Sequence, residues 1–130
     1  MGAAMADIKE RRYMERFRLP QARLYYRISN KTSFFNGYRG PAKISDINKC
    51  SLGIVGSLEL TYGTPLMLKI ILPDYPEIIL KGHISGFLKD HNGLTTRTII
   101  QLMPYGYDVQ YNSFKYKRRL ESCLYQNRNP

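Results

Sequence analysis

From Gln21 onward the chain alternates: Ala22, Leu24, Tyr26 and Ile28 fall on one side, and Arg23, Tyr25, Arg27 and Ser29 fall on the other. Period two of this kind predicts a half-buried strand. A second strand is expected over 42–47, and a corner around Lys49 to Ser51 leads into a third that carries Leu52, Ile54 and Val55. Leu66, Leu68, Ile70 and Leu72 alternate with Met67, Lys69 and Ile71 to give a fourth. The fifth, 78–88, puts Leu80, Ile84 and Leu88 on one face with Gly82 and Gly86 in the same row, where glycine marks a bend or a close approach. Asp90-His91-Asn92-Gly93 is a hairpin signal before a sixth strand, 94–103. Turns are expected at Asn36-Gly37, Gly40-Pro41, Thr61-Tyr62-Gly63 and Pro73-Asp74, while Phe34 and Phe35 fit a loop or an edge strand. The stretch 113–125 lacks Gly and Pro, offers Asn112 or Ser113 as N-cap, and spaces Tyr116, Leu120, Cys123 and Leu124 at helical intervals. Short strands followed by one helix imply a mainly β fold, a small barrel or sandwich, and closure into a barrel would remove exposed edges.

With 130 residues the chain is expected to form one domain. Residues 1–20 hold little that would build a core, and Pro20 interrupts the backbone donors, so this segment reads as a flexible basic arm and 21–130 as the folded body. The 20 lysines and arginines against 10 acids give a net charge of +10, which favours anionic partners: nucleotides, nucleic acid or an acidic protein face. Two cysteines are too few for a disulfide scaffold, and no leader or 20-residue apolar run is present, so a cytoplasmic protein without a membrane span is expected. Met1-Gly2 is followed by Ala6 where a myristoylation signal needs Ser or Thr.

Two clusters carry candidate chemistry. Arg12 and Arg16 lie four residues apart, with Arg11 and Arg18 beside them. A guanidinium binds phosphate in bidentate fashion, stacks on bases and donates to guanine O6 and N7, although such a cluster also serves as a solvated arm of no defined role. Asp46, Asn48 and Ser51 gather a carboxylate, an amide and a hydroxyl on one corner, with Gly53 close behind. They can line a polar pocket, and equally they can form an ordinary Asx turn. Taken together, the clusters suggest a nucleotide pocket.

Enzyme signatures are missing. His83, His91, Cys50 and Cys123 lack metal-ligand spacing, Asp74 and Glu77 lack an apolar wall to split their pKa values, and no phosphate loop or nucleophile elbow occurs. Eleven tyrosines among basic residues raise nonspecific RNA or single-stranded DNA binding as another class, but Tyr25, Tyr26, Tyr116 and Tyr125 are expected to bury their rings in the fold. Lys115, Lys117, Arg118 and Arg119 would line a basic helix face.

Arg-x-x-x-Arg, then a strand, then Asp46-Ile47-Asn48-Lys49-Cys50-Ser51-Leu52-Gly53-Ile54 resembles the PilZ domain, a bacterial receptor module for the second messenger cyclic di-GMP. The run from Glu10 to Pro20 is similar to that family's entry segment, with Arg12 and Arg16 as its arginine pair. In the second motif Asp46 matches, Asn48 replaces Ser, and Ser51 replaces a Gly that would be free to take positive φ. A register shifted to Asn48, Cys50 and Gly53 keeps the Gly but misaligns the apolar strand residues. The resemblance implies a six-stranded antiparallel barrel of split-barrel type with a C-terminal helix. It also implies cyclic di-GMP as ligand of Arg12, Arg16, Asp46, Asn48 and Ser51, with Arg11, Arg18 and Gly53 as further contacts. Neither a cofactor nor a metal is implied. The arm would order on binding and relay the signal to a partner in motility, pilus or polysaccharide machinery, in motility or biofilm regulation. The family also contains adaptors that work by protein contact without the nucleotide.

Overall fold

The computed structural model of the protein describes residues 17–29, 37–89, 93 and 96–126. Six strands, β1 (Arg23–Ile28), β2 (Arg39–Ile47), β3 (Ser51–Val55), β4 (Pro65–Ile71), β5 (Ile78–Lys89) and β6 (Thr96–Leu102), precede the helix α1 (Phe114–Gln126). The strands close into a barrel in the order β1-β2-β3-β6-β5-β4, with β4 returning to β1 and every pair antiparallel. The fold is thus mainly β with one C-terminal helix, as the hydrophobic pattern implies, and of its two options, barrel or sandwich, it is the six-stranded antiparallel barrel that the resemblance implies.

Alternation directs the packing. Leu24, Ile44, Ile54, Leu66, Leu68, Ile70, Leu80 and Ile100 point inward and are buried, with Leu24 opposite Ile70 and Leu68 opposite Leu80, while their neighbours along each strand face outward. Each fully buried Leu or Ile contributes about 1.5–3 kcal/mol. At the end where β2 turns into β3, α1 adds Leu120, Cys123 and Leu124 to the same core. Ser113 caps this helix, its Oγ accepting from Lys115 N at 3.2 Å. Arg119 Nη1 then ties the helix to Glu77 O at 2.7 Å. The expected helix face is therefore not purely solvated.

Four details depart from the sequence pattern. Gly40-Pro41 lies within β2, which starts at Arg39 rather than after a turn, because a bulge between Leu24 and Tyr26 of β1 admits the irregular pair opposite. Leu88 does not join Leu80 and Ile84 inside: a bulge between Ile84 and Gly86 inserts one residue, and the phase of β5 flips so that Leu88 is half exposed opposite Arg97. Gly82 is the true close approach, since a Cβ there would stand 2.7 Å from Gln101 O, whereas Gly86 faces open space. Tyr125 is exposed, one residue beyond the buried Leu124 on the helix.

The end of the basic segment also joins the body. Leu19 is buried and Phe17 packs against the core. The Leu19 carbonyl accepts from Ala22 N at 2.9 Å, so the chain bends tightly around Pro20 into β1. Two isolated apolar residues among arginines carry no period, which is why the pattern did not reveal them.

Candidate functional site

The polar corner is a tight turn with a defined inner and outer side. Asn48 is 2% exposed, and its Oδ1 accepts from Cys50 N at 2.7 Å and Ser51 N at 2.8 Å. Its own N–H reaches Ser51 O at 2.9 Å, and the Ser51 hydroxyl lies 3.4 Å from Asn48 Oδ1. These bonds make the Asx turn that joins β2 to β3. Among the described non-glycine residues only Glu59 and Asp74 have positive φ, so Ser51 sits in ordinary extended backbone and needs none of the freedom a glycine would bring.

Asp46 lies on the outer side. A bulge between Ile44 and Asp46 turns its side chain out of the barrel and sets it opposite Gly53 of β3. The Ser45 hydroxyl donates to Asp46 Oδ1 at 3.1 Å. Gly53 is what lets the carboxylate lie flat on β3, because a Cβ there would come within 2.4 Å of Asp46 Oδ1 and 2.8 Å of Ser45 Oγ. Gly53 therefore shapes the floor beneath Asp46 instead of standing beside it.

Arg97 completes this face. Its Nη1 stands 3.9 Å from Asp46 Oδ2, and its Nε is buried without a hydrogen-bond partner among the described residues. Sequence reasoning missed Arg97. The alternation in Thr96-Arg97-Thr98 marks it as outward, but only the β3–β6 pairing brings it beside Asp46, and that pairing is not local.

The chain just past the first cluster meets the corner through backbone at Phe17. Phe17 N donates to Ile47 O at 2.8 Å and Ile47 N donates to Phe17 O at 2.9 Å, an antiparallel pair that places Phe17 along β2 beyond the start of β1. Arg18 follows and is exposed. Arg11, Arg12 and Arg16 lie outside the described residues.

Tyr105 fastens the corner from the other side. Its hydroxyl donates to Lys49 O at 3.0 Å, and Lys49 Nζ stands 4.0 Å from Glu121 of α1. Burial, with smaller contributions from negative charge at Cys50 and Glu121, pushes the Tyr105 phenol up to about 12 from 10.0. The folded chain keeps this proton where the unfolded chain has lost it, so stability is intact below pH 10 and declines as the pH rises toward 12. Tyr105→Phe is expected to flatten that decline in thermal melts recorded from pH 9 to 12. An unchanged slope would mean that other groups cause it. Burial likewise raises the Cys123 thiol.

Among the described residues no three His, Cys, Asp or Glu side chains gather as metal ligands, and no helix is long and apolar enough to cross a membrane.

A closed barrel with a polar face over β2, β3 and β6 and a helix at one end defines the architecture in which the comparisons fall. No family model and no curated protein matches the sequence. Solved structures share the fold. MrkH of K. pneumonia in complex with c-di-GMP superposes with a TM-score of 0.61 at 18% identity, over 86% of this chain and 50% of that one. A second MrkH structure, described as a c-di-GMP dependence transcription regulatory factor, gives 0.56 at 18% identity over 85% and 48%. The Bacillus subtilis inhibitor of motility MotI/DgrA gives 0.55 at 12% identity over 86% and 50%. The chain spans about half the length of the solved chains it matches, and at these identities the likeness is one of fold.

Proposed function

We propose that this chain is a PilZ-like receptor that binds cyclic di-GMP on the outer face of the β2–β3 corner, orders its N-terminal arm on binding and passes the signal to a protein partner. The observation that carries the reading is the Phe17–Ile47 backbone pair, which ends the arginine segment beside Asp46 and Asn48. Directly opposed residues of an antiparallel pair share a face, and their neighbours face the other way. Ile47 and Phe17 point to the core. Stepping one residue from this pair toward β1 sets Arg18 across from Asp46 on the outer face. Arg12 and Arg16, ahead of Phe17 in the sequence, would close over the ligand. Asp46 would accept from a guanine N–H edge, and Arg97 would meet a phosphate. That one fold neighbour was solved with c-di-GMP supports the choice of ligand.

Asn48 and Ser51 would act mainly by holding the turn, since Asn48 Oδ1 already accepts two backbone N–H groups. The same observation favours a second reading, an adaptor of this fold that works by protein contact without the nucleotide. Titration calorimetry with cyclic di-GMP in low salt separates the two: saturable heat supports the receptor, and no heat at high micromolar concentration supports the adaptor.

Gly53→Ala gives a finer test. The new methyl displaces only the ends of Asp46 and Ser45, so the thermal midpoint should hold within about two degrees. Losing one well-placed charged hydrogen bond should still weaken the nucleotide roughly tenfold. Equal affinity in calorimetry would remove Asp46 from the site.

A further inference from the structure

The segment between β6 and α1 is built rigidly and yet presents apolar side chains to water. Tyr107 is 96% exposed and Val109 86% exposed. Both sit on a loop held from within by Asn112, which is 2% exposed and bonded to Lys81 N at 2.6 Å, Lys81 O at 3.0 Å and Met103 O at 2.9 Å. Gly106 N adds a bond to Asn112 O at 3.0 Å, and the Lys81 ammonium donates to the Val109 carbonyl. A collapsed loop would hide Tyr107 and Val109; this one holds them out.

Beside them runs an open cleft of about 630 Å³ whose walls include Lys81, Tyr107, Val109, Phe114, Lys115 and Arg118. Tyr107 and Phe114 touch at 5.0 Å between ring centres and form an apolar step. Apolar groups ringed by charge on a rigid support have the anatomy of a binding hot spot.

We propose that this cleft docks an acidic segment of a partner protein, which inserts an aromatic or branched aliphatic side chain between Tyr107, Val109 and Phe114 while its carboxylates meet Lys115 and Arg118. Charge selects this occupant. A second copy of the chain, itself at +10, would bring like charge to the cations. Nucleic acid fits less well, because Val109 offers no stacking surface and the Asp108 carboxylate stands in the lining. Tyr105, in the same loop, donates to Lys49 O of the β2–β3 turn, so the docking loop and the proposed nucleotide corner are one bonded unit. The cleft is formed whether or not the nucleotide binds.

Peptide-display selection against the immobilised full chain, without nucleotide, tests it. Enriched peptides should pair Asp or Glu clusters with Phe, Tyr, Leu or Ile. A fluorescein-labelled enriched peptide should bind Tyr107→Ser/Val109→Ser and Lys115→Glu/Arg118→Glu at least about tenfold more weakly than the natural chain, as expected for hot-spot positions. Circular dichroism should show both variants folded, since the altered side chains are exposed or lie on the cleft wall. Arg12→Ala/Arg16→Ala should bind the peptide like the natural chain, which separates this test from failure of the nucleotide reading. Absence of acidic-apolar enrichment, affinity within twofold in both cleft variants, or an oligothymidylate that displaces the peptide and depends on the same residues would each overturn the proposal.

Discussion

Arg12→Ala combined with Arg16→Ala is expected to weaken cyclic di-GMP binding by roughly two orders of magnitude or more in titration calorimetry, since each charged hydrogen bond contributes about 1.5–3 kcal/mol. The reason for so large an effect is that association starts from a deficit. Immobilising a ligand costs roughly 4–15 kcal/mol, and a micromolar complex needs about 8 kcal/mol net. One wall of the proposed site, made by Asp46, Arg97 and the turn, would supply too few strong contacts to meet both. On this proposal the arm would supply the rest. Salt should weaken the natural chain more than the double variant, because exposed charge pairs are screened. Equal affinity in the two proteins would show that the arginines are only a solvated arm.

Asn112→Ala should cause the largest loss of stability. Its buried carboxamide pairs with Lys81 N, Lys81 O and Met103 O. Leaving a buried backbone group without a partner costs about 1–3 kcal/mol, so removing all three bonds should cost roughly 3–5 kcal/mol, allowing for water entering the gap. For a chain of this size that is a fall of roughly 10–20 °C in the thermal midpoint. Asn112→Asp keeps an acceptor for Lys81 N but turns an oxygen on the Lys81 and Met103 carbonyls in a buried site, and should lose at least as much. A midpoint within about two degrees of the natural chain would mean that the loop from Tyr105 to Tyr111 does not depend on this side chain.

The strands and the helix were legible because their information is local. Leu24, Leu68 and Ile100 alternate with polar neighbours, and Leu120, Cys123 and Leu124 recur at helical spacing. What escaped is non-local or breaks phase. The bulge at β5 turns Leu88 outward, a one-residue event that no period can announce. Arg97 meets Asp46 only because β3 pairs with β6 rather than with β4, an order set by barrel closure. Phe17 and Leu19 look like stray apolar residues in a basic segment until the Phe17–Ile47 pair gives them a wall. At the corner, residue types alone left both a turn and a pocket open. The structure makes the turn from Asn48 and Ser51 and turns Asp46 outward, and the pocket remains a proposal.

Amide NMR shifts recorded while cyclic di-GMP is added show whether the arm and the β2–β3 corner hold one ligand. Saturable shifts should centre on Ser45 to Gly53, on Arg97 and on Phe17 and Arg18, together with new protected amides in residues 10–16 as the arm settles. Shifts confined to the outer face of β1 and β4, or none at millimolar nucleotide, would contradict a site at this corner.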